Sequence, residues 1–261
     1  MGLKDVGWVW EGHGIDPGVP PSIFGAGEGA AFFGLSRVNF MFHANTALAM
    51  EKMAHLDEIV CDITKWRFEH VPDEKAAVKN ANSGDPAVTR AEAENVSRLS
   101  QQFPNVTGAL IDDMDSLINN SGYGPDEHAR TYEALRSHNP YLRLWAVVYA
   151  HRLDPDYWAP YAAHIDVANL WVWRAENLAA LDEDVDRCRA VFPEQPIIVG
   201  CYLRDYTSRS AVPRERMEFQ LNRIVRYLEE GKIAGFSILG ACLIDVHPDH
   251  ARWLRDFIAA H

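Results

Sequence analysis

Eight short apolar runs alternate along the chain with amphipathic helical patterns, and this alternation limits the possible folds more than any other feature of the sequence. The runs cover residues 6–10, 37–42, 58–63, 106–112, 142–149, 167–172, 196–202 and 234–239. Most are continuously apolar, which is typical of strands buried on both faces of a parallel sheet. We therefore predict eight parallel strands.

Helical patterns separate most of these runs. Apolar residues recur at helical spacing within residues 87–103, 125–138, 177–192, 213–230 and 248–260. Eight strands with crossover helices predict an α/β fold, a single (β/α)8 TIM barrel over residues 1–261, with an open doubly wound sheet as the alternative. The glycine-rich residues 25–29 do not follow a strand directly and lack dinucleotide-binding spacing, so we expect no cofactor.

Two connections are longer than an ideal barrel requires. Residues 11–36 are rich in glycine and proline, with a short helix expected around residues 22–33. Residues 67–85 are predicted to be a long, charged, irregular insertion. Because both connections follow strands, both should lie at the C-terminal face of the barrel, where active sites of this fold are built.

Composition excludes several classes of partner. A formal net charge of −12 and the lack of a basic stripe argue against a nucleic-acid partner. The apolar runs are far shorter than the ~20 residues of a membrane-spanning helix, and residues 1–9 show no signal-peptide pattern. We expect a cytoplasmic protein with no membrane partner, in which four cysteines act as small buried hydrophobic residues: Cys61, Cys188, Cys201 and Cys242.

Three carboxylates directly after the fourth strand are the sharpest chemical signal. Asp112 and Asp113 end an apolar strand, and Asp115 follows; on an extended chain Asp113 and Asp115 would share one face. Neighbouring carboxyl groups repel, so one can stay protonated while another is ionised. Glycosidic bond cleavage requires such a pair. Alternatively, an aspartate caps the next helix or pairs with Arg143 or Lys65.

A second catalytic carboxylate should come from another strand. Glu176 follows the sixth strand and is our first candidate, although a glutamate at a helix start is also favoured by the helix dipole. Glu11 and Asp205 are the alternatives. We predict Asp112 or Asp113 as nucleophile or general base and Glu176 as general acid.

Aromatic and polar residues also accumulate at the predicted strand ends. Sugar rings stack on aromatic planes, while their hydroxyl groups need polar partners. We expect a saccharide platform formed by Trp10, Trp66, Trp171, Trp173 and Tyr202. The other expected substrate-binding residues are Glu11, His43, Asp62, Lys65, Asp115, Tyr149, His151, Arg174, Arg204 and Asp205.

Metal and serine chemistry are weaker interpretations. His13, His43, His151 and His247 lie near strand ends, but the sequence has no His-Glu-x-x-His or EF-hand pattern. A Gly-x-Ser-x-Gly elbow is also missing. We therefore expect no catalytic metal and no serine triad.

Two segments resemble glycoside-hydrolase-type TIM barrels. Residues 103–113 are similar to their fourth-strand segment, in which a glycine and a few apolar residues precede a catalytic or substrate-binding acid, and residues 142–149 resemble their fifth strand. The chain departs from the chitinase-like Asp-x-x-Asp-x-Asp-x-Glu series, because Asp115 is followed by Ser116 with no terminal glutamate. It also lacks the Asn-Glu pair of many retaining barrels.

The resemblance implies a glycoside hydrolase acting on an oligo- or polysaccharide. One alternative is a sugar-acid lyase or isomerase, with His151 or Tyr149 as base and Arg174 and Arg204 holding a carboxylate. The other alternative is a non-catalytic saccharide-binding barrel.

Overall fold

A computed structural model describes residues 2–11, 19–65, 67–70, 78–81 and 85–261, with strand pairing alone given for residues 67–70 and 78–81. The strands are β1 (Gly7–Trp10), β2 (Arg37–Phe40), β3 (Glu58–Asp62), β4 (Arg67–His70), β5 (Val78–Ala81), β6 (Val106–Ile111), β7 (Arg143–Tyr149), β8 (Val167–Trp171), β9 (Ile197–Tyr202), β10 (Arg204–Asp205), β11 (Ser210–Ala211) and β12 (Gly235–Leu239). The α-helices are α1 (Ala26–Phe33), α2 (Ala47–Lys52), α3 (Pro86–Leu99), α4 (Met114–Asn120), α5 (Pro125–Arg136), α6 (Pro155–Ala162), α7 (Leu181–Val191), α8 (Arg214–Glu229) and α9 (Pro248–Ala260). Short 3-10 helices cover Leu3–Asp5, Ala150–Arg152, Ala175–Ala180 and Ala241–Leu243.

Eight parallel strands close into a barrel in the order β1-β12-β9-β8-β7-β6-β3-β2. These are the eight strands predicted from the sequence, and each observed end lies within two residues of the predicted one. Helices follow the strands on the outside. The prediction of a (β/α)8 TIM barrel is confirmed, and an open doubly wound sheet is excluded by the closure between β1 and β2.

Alternating side chains divide the core into an inner and an outer layer. Inside the barrel, Trp8 packs edge-on against Trp145, with ring centroids 5.1 Å apart, and Leu110 fills the space nearby. Outward-facing strand residues such as Val9 and Leu144 pack against the helices. Both strand faces are therefore buried, which explains the continuously apolar runs.

Ion pairs close the N-terminal end of the barrel. Glu58, at the start of β3, lies 2.7 Å from Arg37 and 3.4 Å from Arg143, measured between carboxylate oxygens and guanidinium nitrogens. The Arg37 guanidinium also lies over the Trp8 ring. Arg143 is thus paired at the end of the barrel opposite to the aspartates that follow β6. The C-terminal end is left for ligands.

The connections show where the predictions were incomplete or wrong. Residues 67–85 were expected to be irregular, but β4 pairs antiparallel with β5, a short hairpin without an alternating apolar pattern. The predicted helix at 177–192 begins as a 3-10 helix and becomes α-helical only at Leu181. Helices α2, α4 and α6 were not predicted, because six to eight residues carry too little periodicity.

The four cysteines are buried, as predicted. Burial raises the pKa of the Cys61 thiol to about 12, which leaves this thiol unreactive near neutral pH. Across the described residues, none of the helices combines the length and the apolar character needed to cross a membrane.

Candidate active site

Strand β6 carries an acidic cluster into the C-terminal end of the barrel. The strand ends at Ile111, Asp112 is buried, and Asp113 adopts a left-handed conformation with φ of 46° before helix α4 begins. Asp115 lies in the first turn of that helix. The expectation that Asp113 and Asp115 share the face of an extended chain is therefore wrong. The chain leaves the extended conformation at Asp113, and aspartate is one of the few residues that tolerate this backbone geometry.

Asp62, at the end of β3, extends the cluster. Its side chain is fully buried and accepts hydrogen bonds from the backbone N–H groups of Thr64 (2.8 Å) and Phe42 (3.4 Å). The Thr64 hydroxyl oxygen accepts from the Asp112 N–H at 2.7 Å, which ties the ends of β3 and β6 together. Thr64 was not predicted, although its place two residues after Asp62 is a usable signal.

Burial controls the protonation of these acids. It raises the pKa of Asp62, against the opposing effect of the Lys65 ammonium. It also raises the pKa of Asp112 well above its usual range, and repulsion from Asp113 and Asp62 adds to this effect. Asp112 is therefore held neutral at a pH where an exposed aspartate is ionised.

Asp113 is the more accessible of the two adjacent aspartates. The Tyr149 hydroxyl, at the end of β7, donates a short hydrogen bond to Asp113 Oδ1. Burial raises the pKa of Asp113 to about 6, whereas the hydrogen bond from Tyr149 acts in the opposite direction. Asp113 can thus exchange a proton near neutral pH, as a catalytic carboxyl group must.

Asp115 lies beside this pair on α4. Its Oδ2 atom is 3.6 Å from the Arg152 Nε atom, and within the described structure its buried Oδ1 atom accepts no hydrogen bond.

The Lys65 ammonium donates to the His43 carbonyl oxygen at 2.7 Å. Lys65 therefore stabilises the loop after β2 and acts on Asp62 through its charge.

Glu176 occupies a different environment, on the 3-10 helix that follows β8. Its side chain is 55% exposed and its Oε1 atom lies 3.8 Å from the Arg174 Nη1 atom. It lines a groove of about 640 Å³ together with His151, Trp173 and Arg174, which we call the β8 groove.

Two of the predicted tryptophans fill the barrel. Trp10 and Trp171 are 4% and 2% exposed and pack edge-on, with ring centroids 5.2 Å apart. Trp173 is 42% exposed and stacks on Tyr206 at 5.9 Å. Of the described tryptophans in the predicted platform, Trp173 therefore offers the accessible ring face. Trp66 and His13 lie outside the described residues.

Tyr149 connects the acids to the β8 groove. Its ring lies 5.6 Å from His151 and 6.1 Å from Trp173 between centroids. Burial and the nearby Asp113 charge raise the pKa of the Tyr202 hydroxyl well above its usual range, and a hydrogen bond to Tyr149 opposes this shift. Both phenols are therefore hydrogen-bond donors at neutral pH.

A second groove lies above β1 and β2. Glu11 Oε1 is 3.3 Å from His43 Nε2, and this contact raises the pKa of the His43 imidazole. Both residues line a groove of about 720 Å³, together with Phe40, Leu48 and Met53, which we call the β2 groove.

Arg204 and Asp205 lie on β10, beyond the end of β9, and both are buried. The Arg204 guanidinium lies 3.4 Å from the His247 imidazole nitrogen. The Asp205 carboxylate accepts hydrogen bonds from the backbone N–H groups of Thr207 (2.8 Å) and Ser208 (3.3 Å). These contacts stabilise the turn between β10 and β11.

The cluster is not arranged as a metal centre. Within residues 2–11, 19–65 and 85–261, no three histidine, cysteine, aspartate or glutamate side chains are placed to hold a metal ion.

Comparisons with known proteins identify the fold. No family model matches the chain, and no curated protein matches its sequence. Solved structures do match the fold of this chain. One is the β-glucuronidase from Bacteroides uniformis, which is 10% identical with a TM-score of 0.57, and the match covers 93% of this chain and 31% of that one. The C-terminal domain of ChiA from Legionella pneumophila matches at 11% identity and a TM-score of 0.54, covering 96% and 97%.

A third match is a xylanase–α-amylase inhibitor protein in complex with trehalose, at 11% identity and a TM-score of 0.54, covering 95% of this chain and 97% of that one. The chain spans 39%, 31% and 28% of three β-glucuronidases that it matches. The resemblance to glycoside-hydrolase-type TIM barrels is thus confirmed for the fold. Because the neighbours include an inhibitor protein, the fold alone does not define the activity.

Proposed function

We propose that this protein is a glycoside hydrolase whose central carboxylate is Asp113. The observation that carries this proposal is the environment of Asp113. It is a half-buried carboxyl group at the C-terminal end of the barrel, with a pKa raised to about 6 and a hydrogen bond from Tyr149. A perturbed carboxyl group at this face of a TIM barrel is characteristic of an active site.

The proposed chemistry uses two carboxyl groups. Asp113, ionised at neutral pH, acts as nucleophile or as general base toward water, and Tyr149 stabilises its charge. Asp112, held neutral by burial, keeps a second negative charge away from Asp113. Glu176, in the β8 groove, is the proposed general acid that protonates the leaving oxygen. Trp173 offers its exposed face to a sugar ring.

The test is hydrolysis of a panel of glycosides by the purified protein and by Asp113→Asn. We expect turnover of at least one glycoside and a loss of about 10²-fold or more in the variant. Asparagine keeps the shape of the side chain, accepts the Tyr149 hydrogen bond and tolerates the left-handed backbone. A loss of less than tenfold would exclude Asp113 from the chemistry.

One observation favours a second candidate, a non-catalytic saccharide-binding barrel. Glu176 is exposed and its carboxylate is paired with Arg174, whereas glycosidic cleavage requires a second carboxyl group that faces the scissile bond across from Asp113. The inhibitor protein of the same fold was solved with trehalose. This candidate predicts saccharide binding without turnover, and with an affinity that Asp113→Asn leaves nearly unchanged.

A further inference from the structure

The two grooves lie on opposite sides of the barrel axis. The β2 groove is lined by residues that follow β1 and β2, and the β8 groove by residues that follow β7 and β8. In the closed order β1-β12-β9-β8-β7-β6-β3-β2, two strands separate the grooves on each side: β3 and β6 on one, β9 and β12 on the other. A straight line between the grooves therefore crosses the C-terminal end of the barrel.

The acids flank the middle of that line. Asp62 ends β3, and Asp112 and Asp113 follow β6, which are the two strands between the grooves on one side. Contacts lead from the acids in both directions. Tyr149 joins Asp113 to Trp173 in the β8 groove. On the other side, the Lys65 ammonium, which acts on Asp62, donates to the carbonyl oxygen of His43 in the β2 groove.

The grooves also share their chemistry. Each is lined by a histidine, a glutamate and an aromatic ring. In the β2 groove these are His43, Glu11 and Phe40, and because the His43 imidazole covers the buried phenyl ring at 5.6 Å, the imidazole supplies the accessible ring face. In the β8 groove they are His151, Glu176 and Trp173. Polar groups beside an aromatic surface suit successive units of a saccharide, which present hydroxyl groups at their edges and C–H faces.

From this placement we infer that the substrate is an elongated saccharide that lies across the barrel from the β2 groove to the β8 groove and is cleaved at an internal bond beside Asp113. The inference rests on the proposed function and adds to it the class of substrate and the mode of attack. A site for a terminal sugar would need binding surface on one side of the acids and a closed wall on the other. Here, grooves of about 720 and 640 Å³ extend on both sides.

The experiment uses chito-, cello- and xylo-oligosaccharides from dimer to hexamer, labelled at the reducing end. For the series that is hydrolysed, we expect internal cleavage and a kcat/KM that rises with chain length. Ala44→Trp obstructs the β2 groove and Asn177→Trp the β8 groove, since both residues line the grooves and are exposed. Each variant should lower kcat/KM for the hexamer by about tenfold, equivalent to ~1.4 kcal/mol of binding.

The matched control is Ala259→Trp, an exposed residue in the last turn of α9, outside both grooves. It should leave both the hexamer rate and the hydrolysis of a short aryl glycoside unchanged, whereas the two groove variants should lose less activity on the aryl glycoside than on the hexamer. Stepwise release of single sugars from one end, or a hexamer rate insensitive to either groove variant, would overturn the inference.

Binding to Asp113→Asn, measured by calorimetry with the same oligosaccharides, separates this inference from the proposed function. Affinity that increases with chain length and falls in both groove variants supports the elongated substrate even if no turnover is found. In that case the hydrolase proposal fails alone. Turnover together with length-independent binding would leave the hydrolase standing and overturn the elongated substrate.

Discussion

Two acidic segments face the same end of the barrel in opposite environments. Asp113 follows β6 directly, is half-buried among Asp112, Asp115 and Tyr149, and has a pKa raised to about 6. Glu176 follows β8 on a 3-10 helix, is 55% exposed and lies beside Arg174. Both are carboxylates a few residues beyond a strand, so sequence position alone does not distinguish them.

The difference shows how the fold tunes an acid. Asp113 takes a left-handed backbone conformation two residues after the strand, and its side chain accepts the hydrogen bond from Tyr149. Glu176 stands five residues beyond the end of β8, so its side chain reaches solvent. Desolvation raises the pKa of Asp113, whereas Glu176 is exposed and pairs with Arg174. The two acids therefore differ in burial and in their partners.

The largest effect expected from this contrast is on catalysis with substrates of different leaving groups. Asp113→Asn should lose about 10²-fold or more on both natural oligosaccharides and activated aryl glycosides, because it removes the nucleophile or base. Glu176→Gln should lose a similar factor on oligosaccharides but less than tenfold on aryl glycosides, whose leaving groups depart without a proton. Steady-state kcat values on the two substrate types measure the difference.

If Glu176→Gln lost the same factor in kcat on both substrate types, Glu176 would not be the general acid. Arg174→Ala is the matched control for Glu176→Gln, because it removes the ion pair with Glu176 while keeping the Glu176 carboxylate. It should retain activity within a few-fold of the wild type. A loss as large as that of Glu176→Gln would instead show that the ion pair positions the glutamate.

A second, smaller effect is expected on stability. Because the folded-state pKa of Asp113 is raised to about 6, the folded protein holds a proton that the unfolded chain releases near pH 4. The free energy of unfolding therefore decreases as pH rises between about 4 and 6. Asp113→Asn does not titrate, so at pH 7 we expect it to be more stable than the wild type by about 3 kcal/mol. Chemical denaturation at pH 4 and pH 7 measures the gain.

Two comparisons isolate this contribution. Glu176→Gln, exposed and charge-paired, should change the free energy of unfolding by less than about 0.5 kcal/mol at either pH. His128 has the opposite pH dependence: burial lowers its imidazole pKa to about 4, so it reduces stability as pH falls below 6.5. His128 is present in every variant, so its effect cancels in the difference. The difference in the free energy of unfolding between Asp113→Asn and the wild type should be larger at pH 7 than at pH 4. An equal difference at both pH values would contradict the buried environment of Asp113.

The strands were predictable because burial on both faces leaves a continuous apolar signal. Strands such as β7 and β8 place inward residues against the barrel interior and outward residues against helices, so no alternation interrupts the pattern. Once eight such runs are found, the C-terminal face follows from topology. That is why the acids after β6 could be placed at the C-terminal face before the structure.

The remaining details depend on backbone conformation and long-range contacts. Nothing in the sequence indicates that Asp113 is left-handed, which invalidated the extended-chain geometry of Asp113 and Asp115. The burial of Trp10 and Trp171 depends on edge-on packing across the barrel. The hydrogen bond from Tyr149 to Asp113 joins residues 36 positions apart in sequence. Such contacts exist only once the barrel closes.

The smallest effect tests that last contact. The Tyr149 hydroxyl stabilises the ionised form of Asp113, so Tyr149→Phe should raise the pKa of this carboxyl further. Activity that needs the ionised carboxylate rises with pH through that pKa, and the acid limb of kcat/KM should therefore move to higher pH by about one unit. At pH 5 the variant should be about tenfold slower than the wild type, and above pH 8 nearly equal.

Tyr132→Phe is the matched control, because Tyr132 also donates a hydrogen bond to an aspartate, Asp166, at 3.1 Å, but on helix α5. The acid limb of kcat/KM in Tyr132→Phe should lie at the same pH as in the wild type. A uniform loss in Tyr149→Phe at every pH would indicate a positioning role without control of the proton, and a shift of the alkaline limb, instead of the acid limb, to higher pH would make Asp113 active in its protonated form. The pH limb that moves, acid or alkaline, thus decides whether Asp113 acts as the base and Glu176 as the proton donor, or the reverse.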